Sequence, residues 1–171
     1  MEIKEILHIL RHKRHDWMNQ IQLVQGYASM DKMERVKEHL YQIIEQSEHE
    51  RRLLNSGAED FTLWLLTFNW SHSHYQLTYL LDRDVDLSSH DEQLTAYAEK
   101  VITVLDEHSS SDELYEGFIH FLITNEKIEI NWSWNGEFKD TADLANKLTN
   151  DEGMTAFVDH HHELKINCKL E

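Results

Sequence analysis

His8, His12, His15, Asn19 and Gln22 follow one another at intervals of four, three, four and three residues. On a helix of about 3.6 residues per turn, that spacing lays three imidazoles and two amides along one face. A neutral imidazole nitrogen is a nucleophile toward phosphorus, a proton carrier or a metal ligand. Histidine's ordinary pKa of about 6.5 leaves the neutral form in the majority at pH 7. Arg11, Lys13 and Arg14 surround the stripe with positive charge, which suits a surface that docks a partner and handles phosphate. A plain solvated helix face is the competing reading. His8 and His12 at i, i+4 have the geometry for zinc, but no acidic or cysteine third ligand shares their stripe, so no metal is assigned. The remaining histidine groups, His72 with His74 and His160-His161-His162, read as solvated turn residues.

The stripe needs a long helix beneath it, and the apolar pattern supplies one. Ile3, Leu7, Leu10, Arg14, Trp17, Ile21, Val24 and Ala28 alternate spacings of four and three, a heptad seam broken at Arg14. The spacing predicts a helix from about Glu2 to Ser29, roughly 40 Å long. Trp17 falls in the seam and reads as core. Met33, Val36, Leu40 and Ile43 repeat the pattern, which turns polar at Ser47 and Glu50 before Leu54. Asp31 is placed to cap the second helix, with Glu34 in the capping-box position. The short link makes the two helices an antiparallel hairpin. Two helices cannot bury their apolar stripes alone, so the economical expectation is a homodimer whose hairpins form a four-helix bundle. Packing of the hairpin on its own C-terminal part is the alternative.

Beyond residue 55 the pattern changes. Asn55-Ser56-Gly57 breaks the chain before an apolar run, Phe61 to Trp70, whose length favours a short helix over a strand. Gln76 to Leu81 reads as a strand. Ser88 or Ser89 can cap a helix to about Glu107, with Leu94, Tyr97, Ala98, Val101 and Leu105 on one face. Leu114 to Thr124 and Lys127 to Trp134 read as strands, Thr141 to Thr149 as a short helix, and Met154 to Asp159 with Glu163 to Leu170 as a closing strand pair. Leu164, Ile166, Cys168 and Leu170 alternate with polar residues, which puts Cys168 in the core. The fold class is α+β: a helical hairpin over 1–55 and an α/β sandwich over 56–171.

Composition narrows the function. The chain has 171 residues with 16 Lys+Arg against 32 Asp+Glu, a formal charge of −16. That charge disfavours nucleic acid, which is bound by neutralising phosphates. It is unevenly placed: residues 1–54 carry nine basic and nine acidic residues, so the excess lies in the remainder. The five glycines are isolated, with no Gly-x-Gly and no Gly-Lys loop, so ATP binding is not expected. One cysteine excludes an internal disulfide. No apolar run reaches about 18 residues and no signal-peptide pattern opens the chain, so no membrane span and a cytoplasmic location are expected.

Arg14-His15-Asp16-Trp17-Met18-Asn19 on a long first helix resembles the motif of the sporulation initiation phosphotransferase B family of spore-forming bacilli. The similarity continues through Ile21-Gln22-Leu23-Val24-Gln25-Gly26. It returns at Leu66-Thr67-Phe68-Asn69-Trp70 and at Leu87-Ser88-Ser89-His90-Asp91-Glu92-Gln93-Leu94. The resemblance implies a hairpin that dimerises into a four-helix bundle, and a C-terminal domain like a degenerate histidine-kinase ATPase domain that binds no ATP. It implies a phosphorelay phosphotransferase without autokinase activity. The donor would be the aspartyl phosphate of a single-domain response regulator. The acceptor would be the receiver domain of the sporulation transcription factor. His15 would be the phosphoacceptor, with Arg11, Arg14, Asp16, Asn19 and Gln22 supporting it or contacting partners. Asp16 reads as either orienting or structural. No cofactor is expected on this chain, and Mg²⁺ would come with the receiver. The resemblance also leads us to expect a basic residue at position 20, where this chain has Gln20.

Overall fold

The computed structural model describes residues 3–124, 127–149, 153–160 and 162–170. The proposed helix start at Glu2 and the middle of the histidine triplet, His161, lie outside them. The chain divides into two compact units, Met1–Arg51 and Arg52–Glu171. The architecture is α+β, as the sequence leads one to expect.

The first unit holds α1 (Ile3–Ser29) and most of α2 (Met33–Leu54). The turn between them corrects the expected cap. Asp31 does not cap α2; it adopts a left-handed conformation with φ 55°. The Lys32 amide donates to the Tyr27 carbonyl at 3.0 Å and the Asp31 amide to Ala28 at 3.1 Å. This paired closure satisfies the last carbonyls of α1 and needs one left-handed residue, a conformation that a short polar side chain tolerates. The carbonyl of Lys32, not Asp31, then accepts from the Val36 amide to open α2.

The apolar seam is present but uncovered within the chain. No residue of α1 is buried. Trp17, expected in the core, is 53% exposed, and Leu7, Leu10, Ile21, Met33 and Leu40 are exposed with it. Val36 alone among the described hairpin residues before Arg52 reaches the buried class.

The second unit places three helices against a five-stranded sheet. The helices are α3 (Glu59–Ser71), α4 (Asp91–His108) and α5 (Thr141–Leu148). The strands are β1 (Tyr75–Leu80), β2 (Tyr115–Ile123), β3 (Ile128–Asn135), β4 (Met154–Val158) and β5 (Leu164–Leu170). The strand order is β1-β2-β3-β5-β4, with β1 and β2 parallel and the other pairs antiparallel. Tyr75, Leu77, Tyr115, Ile119, Phe121, Ile130, Trp132, Trp134, Leu164, Ile166 and Cys168 are buried, so alternation assigns one face to the core. The face of α4 read from the sequence is buried as expected, from Leu94 to Leu105. Burial raises the Cys168 thiol to about 12, which leaves it protonated and unreactive at neutral pH.

Asn69 and Asp91 of the motifs, together with Thr149, serve this unit by bonding across it. Asn69 reaches the edge strand β1, where its amide donates to the Leu77 carbonyl at 2.8 Å and accepts from the Leu77 amide at 2.7 Å. A side chain thereby closes a mid-strand edge that would otherwise invite another strand. Thr149 does the same on the opposite edge, bonding both backbone groups of Ala156. Asp91 begins α4, within the helix start expected there, and its side chain also caps a different helix. Its carboxylate accepts from the Asp60 and Phe61 amides at 3.1 and 2.9 Å, in the first turn of α3. Ala58, the N-cap of α3, has no side chain that could do so. Ser88 is drawn away from capping α4 because its amide and hydroxyl both bond Asp86, within a short 3₁₀ turn.

Gly117 is directly paired with Trp134, and a Cβ there would come within 2.6 Å of the indole ring. A Cβ at Gly136 would likewise collide with the Tyr115 ring. These glycines are explained by close packing against large rings.

Two outcomes are expected on stability. Asp91→Ala removes the acceptor of two α3 amides and should cost about 1–2 kcal/mol in urea unfolding, with Asp91→Asn costing less. Gly117→Ala should lower stability by about 1–3 kcal/mol and alter the near-ultraviolet dichroism of the buried indoles.

Candidate functional site

All six site residues expected from the sequence lie on α1, whose length rests on the heptad pattern and on the absence of proline. His15 is exposed, with 70% of its side chain open to solvent. Its Nδ1 lies 3.3 Å from Asp16 Oδ1 and 3.3 Å from Asn19 Nδ2. These neighbours favour opposite tautomers. Asp16 accepts only from a protonated Nδ1, whereas the Asn19 amide donates only to a bare one. A carboxylate is the stronger partner. With the proton held on Nδ1, the lone pair sits on Nε2, which has no hydrogen-bond partner among the described residues. The arrangement presents a nucleophilic nitrogen to solvent with an anion behind the ring.

Arg11 and Arg14 are exposed and have no ion pair among the described residues. Helix geometry separates them: Arg11 lies about 40° around the axis from His15, while Arg14 lies about 100° away. Arg11 therefore shares the histidine face, and Arg14 stands within the apolar stripe. Gln22 is exposed two turns beyond His15.

Lys13 departs from the expected basic collar. It points away from the stripe and forms an ion pair with Glu50 on α2, N to O 2.5 Å. A step of two residues turns the helix by about 200°, which places Lys13 nearly opposite His15. Glu50 is a functional candidate that the sequence reading missed. Its signal was there: an acidic residue in an apolar repeat, as far after the hairpin turn as Lys13 is before it.

His8 and His12 pair with each other, Nε2 to Nε2 3.1 Å, with rings edge to face. Among the described residues, no group of three or more His, Cys, Asp or Glu side chains converges to hold a metal ion.

His72, His74 and His108 of the second unit have local structural partners, whereas His160 and His162 are exposed. His72 and His74 are half-buried rather than solvated; His72 Nδ1 bonds the Phe68 carbonyl at 2.9 Å, at the end of α3. His108 is buried between the Val104 carbonyl at 2.7 Å and Asp143 Oδ2 at 3.0 Å, tying α4 to α5. Bonds from Lys147 and His108 hold the Asp143 carboxyl below its ordinary pKa. No described helix is long and apolar enough to cross a membrane.

Comparison with known proteins agrees with this layout. The description "sensor kinase SpoOB-type, alpha-helical domain" matches residues 1–56, and "sporulation initiation phospho-transferase B, C-terminal" matches residues 57–170. Sporulation initiation phosphotransferase B of Bacillus subtilis (strain 168) is 35% identical over 109 residues, which are 63% of this chain. The match spans 57% of that relative's length. With both halves matched in order, the chain belongs to the sporulation initiation phosphotransferase B family.

Proposed function

We propose that this protein is a phosphorelay phosphotransferase whose phosphoacceptor is His15. It takes the phosphoryl group from the aspartyl phosphate of a single-domain response regulator and passes it to the receiver domain of a sporulation transcription factor. The observation that carries the reading is the His15 ring, open to solvent at Nε2 and bonded to Asp16 at Nδ1, in a chain of this family.

In the first transfer the Nε2 lone pair attacks phosphorus in line with the acyl oxygen. The N–P bond forms as the P–O bond breaks, and the regulator's carboxylate leaves with the bonding electron pair. The ring retains its Nδ1 proton and gains positive charge, which the Asp16 carboxylate stabilises while fixing the tautomer. In the second transfer the acceptor's carboxylate oxygen attacks phosphorus, and the N–P electrons return to Nε2. Arg11, on the same face, supplies positive charge for the phosphoryl oxygens, and Asn19 supplies an amide donor. Mg²⁺ would be brought by the receiver in its acidic pocket, where it would neutralise charge on the phosphoryl oxygens. The glycines of the second unit lack a clustered phosphate loop, which supports a role without ATP-dependent autophosphorylation. The protein acts in the cytoplasm.

A second copy covers the apolar stripe. Ile3, Leu7, Leu10, Trp17 and Ile21 on α1, with Met33 and Leu40 on α2, leave a run of exposed apolar side chains along the hairpin. Two such hairpins bury these runs against each other as a four-helix bundle.

Two outcomes test the reading. A single-domain regulator phosphorylated with labelled phosphoramidate should pass label to this protein, and His15→Ala should abolish that uptake. Binding with undiminished uptake by His15→Ala would overturn the assignment, and binding without uptake by the native chain would make the protein a docking module. Light scattering should give twice the chain mass of 20.4 kDa, and Trp17→Glu should shift it toward one. A monomeric native protein would remove the bundle.

A further inference from the structure

We propose that the Lys13–Glu50 ion pair is a rotation and register pin, a positioning device that aims His15 away from α2. This rests on the reading of His15 as phosphoacceptor. The pair joins α1 to α2 across 37 residues, with both side chains partly shielded, 39% and 28% exposed. The hairpin ion pairs His15–Asp16, Arg35–Glu38, Lys37–Glu34 and Arg51–Glu48 each lie within one helix.

Packing leaves this job largely undone inside one hairpin. Within one hairpin no side chain of α1 is fully buried, and Ile9, Val24 and Tyr27 are only half-buried, so apolar contact with α2 holds the helix's rotation at the site weakly. A small turn about the axis would swing His15 along with Asp16 and Asn19. Lys13 and His15 lie about 160° apart on the same turn, so holding one toward α2 holds the other outward. Transfer demands an aligned attack, and misplacement of the nucleophile by about 1 Å costs on the order of a hundredfold in rate. A half-exposed ion pair, by contrast, contributes only about 0–1 kcal/mol to stability. The pair is therefore poorly suited to holding the fold and well suited to setting one orientation, the specificity role best documented for single polar contacts in helical seams.

The alternative role for Lys13 is direct attraction of the acidic partner, and a charge swap separates the two. The full-length chain is used, with a chemically phosphorylated single-domain receiver as donor. Lys13→Ala should lower the maximal transfer rate at saturating donor by about tenfold, leave half-saturation unchanged and shift Tm by no more than about 2 °C. The double variant Lys13→Glu, Glu50→Lys should restore the rate to within about twofold of native. A Lys13→Ala rate equal to native would overturn the proposal. So would a folded swap variant that stays slow, because a docking lysine cannot be replaced by glutamate. His15→Ala is run alongside: if it still takes up label, the phosphoacceptor reading has failed; if it does not and Lys13→Ala is as fast as native, only the pin has.

Discussion

A two-helix hairpin has no inside. That constraint governs the first unit: α1 runs for 27 residues with apolar groups at heptad spacing, and none of them is buried. At roughly 25 cal/mol per Å² of apolar surface, so many exposed large side chains make a strong drive toward association. The same geometry leaves the opposite, polar face of α1 to solvent. A histidine there needs no pocket dug for it, because the helix presents it. The second unit carries a complete core of its own, built on Trp132, Trp134 and the paired glycine Gly117.

The proposed phosphoryl transfer suits such an open site. The reaction asks for an aligned nucleophile and charge placed near the phosphoryl oxygens more than for covalent help from the protein. His15 brings its own tautomer control in Asp16, one residue away, and positive charge in Arg11, one turn away. The bulk charge of −16 conceals this arrangement, because residues 1–54 are neutral overall and hold the site's cations locally. On the proposed reading, an acidic receiver would respond to that local patch within about a Debye length, not to the sum.

Patterns of period 3.6 and 2 made most of the fold legible. The inward-facing residues of β3 and β5 and the buried face of α4 follow from alternation and helical spacing alone. What the sequence did not disclose were contacts between residues far apart along the chain. Asp91 does lie in the first turn of its own helix, but its carboxylate also caps α3, and Asn69, within an apolar run, closes the edge of β1. Capping also failed locally at Asp31, where the needs of the helix just ended outweighed those of the helix about to begin. For the site, spacing placed His15, Asn19 and Gln22 on one face. It could not tell that Lys13 turns from them toward Glu50, since that depends on which side of α1 the second helix takes.

The central claim is that Nε2 of His15 carries the phosphoryl group. Phosphorus NMR of the intact protein after exposure to a phosphorylated single-domain receiver, joined to peptide mapping under alkaline conditions that preserve phosphohistidine, tests it directly. The account predicts one resonance of Nε2-linked phosphohistidine, on the peptide containing residue 15. Phosphate on Nδ1, on His8 or His12, or on any residue of the second unit would contradict it.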